Sequence, residues 1–139
     1  MFAEHAPAGV LRYSLRLPKQ TPSNNEIKGQ QFFVYKKTRE AWHLMTKAAL
    51  KGVRVGRPIE RSKLVIIRHS AGVGLDWDNA YGGLKPLLDC LVAPSKRNPS
   101  GLALIVDDAP TNMPEAPTMR QEKAKRGEGY TEVLIYSLD

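Results

Sequence analysis

The chain has one cysteine, few aromatic residues and no long apolar run, and each shortage excludes a class of protein. Cys90 is its only cysteine, which rules out an intramolecular disulfide and a zinc site built from several cysteines. No apolar run approaches the roughly 20 residues that a membrane-spanning helix needs. The first residues do not combine a basic segment with an apolar one, so no secretory signal is expected. We therefore expect a cytoplasmic protein with no membrane partner.

The bulk composition is that of an ordinary globular domain, apart from an excess of positive charge. Hydrophobic residues make up 42% of the 139 positions. A chain of this length can bury a substantial core, so we predict one domain over residues 1–139. The net charge of +7 favours nucleic acid as the partner, although basic proteins also bind other anions.

Aspartate is distributed very unevenly along the chain. Five of the six aspartates lie within a window of 33 residues that holds no glutamate and only three cations. They are Asp76, Asp78, Asp89, Asp107 and Asp108. Hard cations such as Mg²⁺ prefer carboxylate oxygen, and a basic surface around them would neutralise phosphates. The pattern therefore points to phosphodiester chemistry at a metal ion.

The apolar periodicity predicts an α/β domain, with α+β as the alternative. Strict alternation indicates strands, and apolar residues at spacings of three and four indicate helices. The predicted elements are a strand at 11–17, a helix at 38–50, a strand at 63–69, a helix at 84–91, a strand at 102–106 and a hairpin formed by 118–125 and 130–138. This β-α-β-α-β-β-β order predicts a mixed sheet of about four to five strands with two main helices.

Asp76 and Asp78 form the first candidate pair. In an extended segment, residues two positions apart point to the same side. Two carboxylates so close repel each other unless a cation lies between them, which would favour a metal site. Taken alone, however, the pair is more typical of a turn in which aspartate side chains accept backbone N–H groups.

Asp107, Asp108 and Lys85 are the other candidates. Asp107 and Asp108 end the predicted strand at 102–106, where α/β folds often place functional side chains. Neighbours in a strand point to opposite faces, so only one of the two would reach a site; the alternative is a turn that ends the strand. Lys85 precedes Asp89 by one helical turn. It forms either a surface ion pair with Asp89 or a cation that faces a reacting phosphate.

The larger aromatic residues and one basic loop complete the sequence predictions. Trp77 is predicted to anchor its loop in the core, with contact to nucleic acid as the alternative. Trp42, Phe32 and Phe33 are predicted to be core or dimer contacts. Pro94–Gly101, which contains two prolines and two cations, is predicted to be a flexible surface loop.

These motifs, in this order, resemble the RusA family of Holliday junction resolvases. The resemblance extends through most of the chain, from the first strand to the closing strands. The matching segments are Pro22-Ser23-Asn24-Asn25, Asp76-Trp77-Asp78-Asn79, Lys85-Pro86-Leu87-Leu88-Asp89, Asp107-Asp108 and residues 121–135. Relative to the family pattern, Pro94–Gly101 is an insertion.

The resemblance implies a homodimeric endodeoxyribonuclease that depends on Mg²⁺, with Mn²⁺ as an alternative ion. Such an enzyme resolves four-way branched DNA by paired symmetric nicks, in recombination and repair. The resemblance also implies that Asp76, Asp78 and Asp108 are metal ligands, that Asp107 assists them, and that Lys85 orients or stabilises the reacting phosphate.

Two other functions remain open at this point. The chain could be a non-catalytic, basic DNA-binding protein in which the aspartates are structural. It could also be a Mg²⁺-dependent nuclease that acts on other branched DNA, such as flaps or forks. The concentration of aspartate without glutamate favours a nuclease over a binding protein.

Overall fold

Four strands and two main helices make up the described part of the chain, which in this computed structural model is residues 9–139. The strands are β1 Val10–Leu17, β2 Ser62–Ser70, β3 Thr118–Lys123 and β4 Tyr130–Ser137. The helices are α1 Asn24–Ile27, α2 Phe32–Ala49, α3 Trp77–Gly82 and α4 Lys85–Leu91. Helices α2 and α4 are the two main ones, and the predicted single α/β domain is confirmed.

The strands form one mixed sheet in the order β1-β4-β2-β3. β4 is antiparallel to both β1 and β2, whereas β3 is parallel to β2. β2 has a strand on either side and is buried along its whole length. β1, β2 and β3 all end at the same edge of the sheet, at Leu17, Ser70 and Lys123. We call this the carboxyl edge.

The predicted hairpin of the last two strands is wrong, because β2 lies between them. Val65 of β2 pairs with Thr118 of β3 on one side and with Leu134 of β4 on the other. The connecting segment crosses the end of β2, where the Ala124 N–H donates to the Ser70 carbonyl at 3.0 Å. A glycine-rich turn signal is local, so it does not reveal whether the two strands that it joins are neighbours.

The predicted strand at 102–106 is also absent, apart from an isolated bridge between Ile59 and Ile105. Its backbone N–H groups are already used by the end of α4. The N–H of Leu102 donates to the Cys90 carbonyl at 2.8 Å, and that of Leu104 donates to the Leu91 carbonyl at 2.9 Å. A segment with its donors engaged in this way cannot form a ladder with the sheet.

The core lies between one face of the sheet and helices α2 and α4. In β1 the predicted alternation is confirmed, with Tyr13, Leu15 and Leu17 buried and the residues between them exposed. These residues pack in one cluster with side chains of both helices, including Trp42 and Leu87. The opposite face, which carries Arg16, points away from these helices, and we call it the outer face. No helix within residues 9–139 has the length and apolar character needed to cross a membrane.

Candidate metal and nucleic-acid site

Asp76 and Asp78 lie where the segment that leaves the carboxyl edge enters α3. Asp76 is the N-cap residue with an extended backbone, and Asp78 is in the first helical turn; both are exposed. The prediction that both lie in one extended segment is therefore wrong, and residues two apart in a helix do not face each other. The Asp76 side chain makes no capping hydrogen bond, so this carboxylate is not occupied by the turn that the alternative predicted.

The Pro-Ser-Asn-Asn segment packs against α3. The Asn25 N–H donates to Asn79 Oδ1 at 3.0 Å, which ties α1 to α3. Ser23 and Glu26 close a capping box on α1, since each side chain accepts from the backbone N–H of the other, both at 3.1 Å. Asn79 therefore shapes the junction between α1 and α3.

Close approach of this loop requires glycine at the end of α3. A Cβ atom added at Gly83 would overlap the carbonyl oxygen of Pro22, and one at Gly82 would overlap the side chain of Asn24. Only glycine leaves the backbone free to approach this closely. The Gly82-Gly83 pair thus allows the loop before α1 to contact the end of α3. Asp76 and Asp78 lie at the start of the same helix.

Arg68, which the sequence analysis did not select, holds the same loop from the other side. Its side chain is buried at the end of β2, where Nε donates to the Thr21 carbonyl at 2.8 Å and Nη1 donates to Ser70 Oγ at 3.2 Å. Burial lowers the pKa of Arg68, and the nearby charge of Glu26 opposes that shift. A lone arginine in an apolar central strand was the available signal, because a buried charge needs partners.

Hydrogen bonds from β3 hold both the segment that leads to Asp76 and the helix α3 that follows it. The Leu75 N–H donates to Gln121 Oε1 at 2.7 Å, and Gln121 Nε2 donates to the Leu75 carbonyl at 2.8 Å. The Met119 N–H donates to the Tyr81 hydroxyl at 3.2 Å. Asp76 therefore follows a residue whose backbone groups are both bonded to the sheet.

Asp89 on α4 is contacted by two side chains, those of Tyr35 and Lys85. Tyr35 on α2 donates its hydroxyl to Asp89 Oδ2 at 2.7 Å, and Lys85 Nζ lies 3.8 Å from the same oxygen. The ion pair between Lys85 and Asp89, which was the alternative to a catalytic role for Lys85, is therefore present, with the Lys85 side chain 65% exposed and that of Asp89 19% exposed. Burial, followed by the hydrogen bond to Asp89, raises the pKa of Tyr35. The sequence analysis missed Tyr35 because no local spacing links it to Asp89.

Asp107 and Asp108 are neighbours in a segment that is neither strand nor helix. Asp107 Oδ1 accepts from the Asp108 N–H at 2.8 Å. Although Asp108 as a residue is exposed, partial burial of its carboxyl raises its pKa, as do a hydrogen bond with Asp107 and the charges of Asp107 and Asp89. The expectation that the two carboxyls point to opposite faces of a strand is wrong, because there is no strand here. Such crowding of carboxylates would be relieved by a cation.

The predicted metal ligands are thus divided between two places. Asp76 and Asp78 lie at the start of α3, whereas Asp108 contacts Asp107 and has its pKa raised by the charges of Asp107 and Asp89. Over the described residues, no three His, Cys, Asp or Glu side chains are arranged to hold a metal ion. Mg²⁺ is commonly held by one or two carboxylates together with substrate phosphates. The chemistry of the donors therefore fits this ion, and the ligand set itself stays a prediction.

The aromatic residues near the aspartates are more exposed than predicted. Trp77 is 54% exposed and its ring lies 6.3 Å from that of Tyr81, so the predicted anchor in the core is wrong. Phe32 and Phe33 are exposed at the start of α2, so they are not core residues, and their role as dimer contacts stays a prediction. Trp42 is fully buried, as predicted.

The loop Pro94–Gly101 is tied to both main helices. Arg39 and His43 on α2 make hydrogen bonds with carbonyl groups of the loop at 3.2 and 2.6 Å. Asn98 Nδ2 donates to the backbone carbonyl of Asp89 at 2.6 Å. The predicted flexible surface segment therefore lies against the domain, next to the Asp89 group.

The fold and these charges define a basic α/β domain that carries aspartates on two consecutive helices and the segment after them. Searches against models of protein families and against curated proteins find no match to the chain.

Proposed function

We propose that this protein is a Mg²⁺-dependent endodeoxyribonuclease that resolves four-way DNA junctions by paired symmetric hydrolysis of phosphodiester bonds. The observation that carries the proposal is the contact between Asp107 and Asp108, where the charges of Asp107 and Asp89 help to raise the pKa of Asp108, in a chain of net charge +7. A basic protein attracts DNA, but carboxylates repel phosphates unless a cation lies between them. A divalent ion at the aspartates reconciles the two.

Asp76 and Asp78 at one place, and Asp108 with assistance from Asp107 at the other, would each contribute carboxylate ligands to a bound divalent ion. Its chemistry when bound is to polarise the phosphate and to lower the pKa of a water molecule. Both predicted groups lie on surfaces that DNA can reach, since Asp76, Asp78 and Asp108 are all exposed. The set requires no histidine as the base.

Lys85 supplies a positive charge to the reacting phosphate. Its ammonium group lies 3.8 Å from Asp89 Oδ2 and 5.8 Å from the centre of the Tyr35 ring, and it is largely exposed. Asp89, itself held by Tyr35, keeps this ammonium near the aspartates while leaving it accessible. A cation so placed stabilises negative charge that develops during hydrolysis.

A homodimer would present two such sites related by two-fold symmetry, which suits the near-symmetry of a four-way junction. Paired nicks require two sites that act on opposite strands. The dimer is proposed on the resemblance to the RusA family, and Phe32 and Phe33, exposed on α2, are candidates for its contacts.

One observation favours a second candidate, a DNA-binding protein without catalytic activity. Within residues 9–139 no three potential ligands are arranged around a metal position. In that case the aspartates would have only structural roles, such as the Asp107 hydrogen bond. This candidate is distinguished from the nuclease by the absence of cleavage.

The test uses an end-labelled synthetic four-way junction and a linear duplex of the same sequence, each with Mg²⁺ and with chelator. Asp78→Asn and Asp108→Asn are compared with Asp139→Asn, which makes the same chemical change at an exposed aspartate paired with Arg61. We expect paired nicks in the junction alone, lost with chelator and in the first two variants but retained in the third. Binding of Mn²⁺, followed by electron paramagnetic resonance, should weaken in the same two variants.

Two other results would decide against the proposal. Tight junction binding without cleavage in any divalent ion would identify a binding protein. Equal cleavage of flaps, forks and junctions would identify a nuclease for branched DNA of a broader kind.

A further inference from the structure

A second charged site lies at the carboxyl edge, where β1 ends and β4 begins. An open cavity of about 620 Å³ is bounded by the end of β1 and the loop between β3 and β4. Its lining includes three cations, Arg16, Lys123 and Lys125, together with one carboxylate, Glu128, and the ring of Tyr130. We call this cavity the Arg16 pocket. It is separate from the aspartates of the proposed active site.

Arg16 is held in the pocket by an aromatic stack. Its guanidinium carbon lies 3.8 Å from the centre of the Tyr130 ring, and that ring stacks on His69 at 4.0 Å with an angle of 10° between the planes. Because β4 lies between β1 and β2, Arg16 and His69 cover opposite faces of the Tyr130 ring. A stacked guanidinium loses little further freedom when it binds a ligand.

The expected partner of Arg16 within the sheet is engaged elsewhere. Arg16 lies directly opposite Glu132 in the register of β1 and β4. The Glu132 carboxylate instead accepts a hydrogen bond at 2.7 Å from His69 Nε2. Within the part of the chain that the structure describes, Arg16, Lys123 and Lys125 form no ion pair. The pocket therefore has an excess of positive charge that is available to an anion.

The geometry favours a phosphate over a nucleobase as that anion. Both faces of the Tyr130 ring are covered, so no base can stack on it. A planar guanidinium presents two N–H donors that match two oxygens of a phosphate, and the flanking lysines add charge without demanding a fixed direction. The pocket is open to solvent, which suits a group carried on a polymer that passes over the surface.

We infer that the Arg16 pocket binds a backbone phosphate of the DNA whose cleavage is proposed above, and the choice of DNA rests on that proposed function. β2 links the two sites, since His69 stacks beneath Tyr130 and the segment that follows β2 leads to Asp76. A duplex arm held at this pocket would pass along the carboxyl edge. Contacts to phosphate position DNA without reading its sequence.

The test measures binding without cleavage, by fluorescence anisotropy of a labelled four-way junction and a labelled duplex, over a range of salt concentrations without divalent ions. Arg16→Gln should weaken binding to both DNAs and reduce the slope of log affinity against log salt by about 0.9. Lys123→Gln combined with Lys125→Gln should also weaken binding, but should reduce the slope by no more than about 0.9, because the three cations surround one phosphate. The matched controls are Arg54→Gln and Lys51→Gln, in the segment that enters β2 from the opposite edge.

A further variant distinguishes lost contact from altered structure. Arg16→Lys keeps the charge but loses the planar stack, so it should recover the salt slope of the parent while binding more weakly. Circular dichroism and melting temperature check that each variant is folded. The inference is overturned if Arg16→Gln matches Arg54→Gln in affinity and in salt slope.

The inference and the proposed function can fail separately. If the protein cleaves no junction but Arg16→Gln weakens DNA binding, the phosphate site is supported and the proposed nuclease function is refuted. A protein that cleaves junctions while Arg16→Gln behaves like its control would retain the nuclease and lose the pocket. A parent protein that binds no DNA would overturn both.

Discussion

Replacing Tyr35 with phenylalanine isolates the contact that holds Asp89 beside Lys85. The Tyr35 hydroxyl donates to Asp89 Oδ2 at 2.7 Å, and Lys85 Nζ lies 3.8 Å from the same oxygen. Both partners contact the same carboxylate oxygen, but their surroundings differ. Tyr35 is partly buried, whereas Lys85 is largely exposed to water. The two contacts with Asp89 are therefore expected to contribute differently to the stability of the fold.

The structure predicts that the hydrogen bond from the Tyr35 hydroxyl stabilises the fold more than the ion pair with Lys85 does. A hydrogen bond to a charged group contributes roughly 1.5–3 kcal/mol, whereas an exposed ion pair on one helix contributes about 0.3–0.5 kcal/mol. Asp89 keeps some contact with water, so we take the lower end of the first range. Tyr35→Phe should therefore lower the free energy of unfolding by about 1.5 kcal/mol, and Lys85→Met by at most about 0.5 kcal/mol. In a domain of this size, the first change lowers the melting temperature by about 5 °C.

Urea unfolding at neutral pH measures both variants against a matched control. Tyr136→Phe makes the same chemical change on the outer face, where the Tyr136 hydroxyl has no hydrogen bond to any other described residue. It should leave stability within about 0.5 kcal/mol of the parent. The reasoning is refuted if Tyr35→Phe matches Tyr136→Phe, or if Lys85→Met costs more than Tyr35→Phe.

Three further changes test the core, the loop contact and the crowded carboxylates. Leu87→Ala should lower the free energy of unfolding in urea by about 3 kcal/mol, because the Leu87 side chain is fully buried. Leu44→Ala, on an exposed surface, should lower it little, and equal losses in the two variants would contradict the packing. Gly83→Ala should lower the melting temperature because its Cβ would overlap the loop before α1, while Gly72→Ala, which meets open space, should not. Without divalent ions, the Asp108→Asn variant should have a larger free energy of unfolding than the parent at neutral pH, and this difference should shrink on acidification. A difference that does not change with pH would contradict the prediction.

The sign of the Asp108 effect follows from the raised pKa of its carboxyl. The folded chain holds this proton more tightly than the unfolded chain does, so folding is not penalised while Asp108 is protonated. Stability then falls as pH rises from the usual carboxyl pKa through the raised one. Asparagine has no such titration, so its advantage appears only above that interval.

Sequence reasoning succeeded where the signal was local. The alternation in β1, the apolar run of β2 and the leucine spacing of α4 each reflect one element and its burial, and all three are confirmed. The hairpin and the strand at 102–106 failed because pairing depends on distant partners. β2 lies between β3 and β4, and the backbone N–H groups of residues 102 and 104 donate to carbonyl groups at the end of α4.

The same division applies to the candidate site. The ion pair between Lys85 and Asp89 is a contact within one helix, and its spacing made it predictable. The contacts of Tyr35 with Asp89 and of Arg68 with Thr21 join residues 54 and 47 positions apart, so no local pattern could reveal them. Trp77 was misplaced for a related reason: Gln121 and Tyr81 already tie its segment to β3, so the indole is not needed in the core.

The two charged regions should affect DNA binding in opposite directions, and this separates attraction from chemistry. Arg16 lies in a pocket with an excess of cations, so its loss removes attraction for phosphate. Asp108 lies among carboxylates, so without divalent ions its neutralisation removes repulsion and should raise DNA affinity. Mg²⁺ should reduce this gain, since the ion would neutralise the same charges in the parent protein. A structural role for Asp108 alone gives no reason for the gain to depend on the ion.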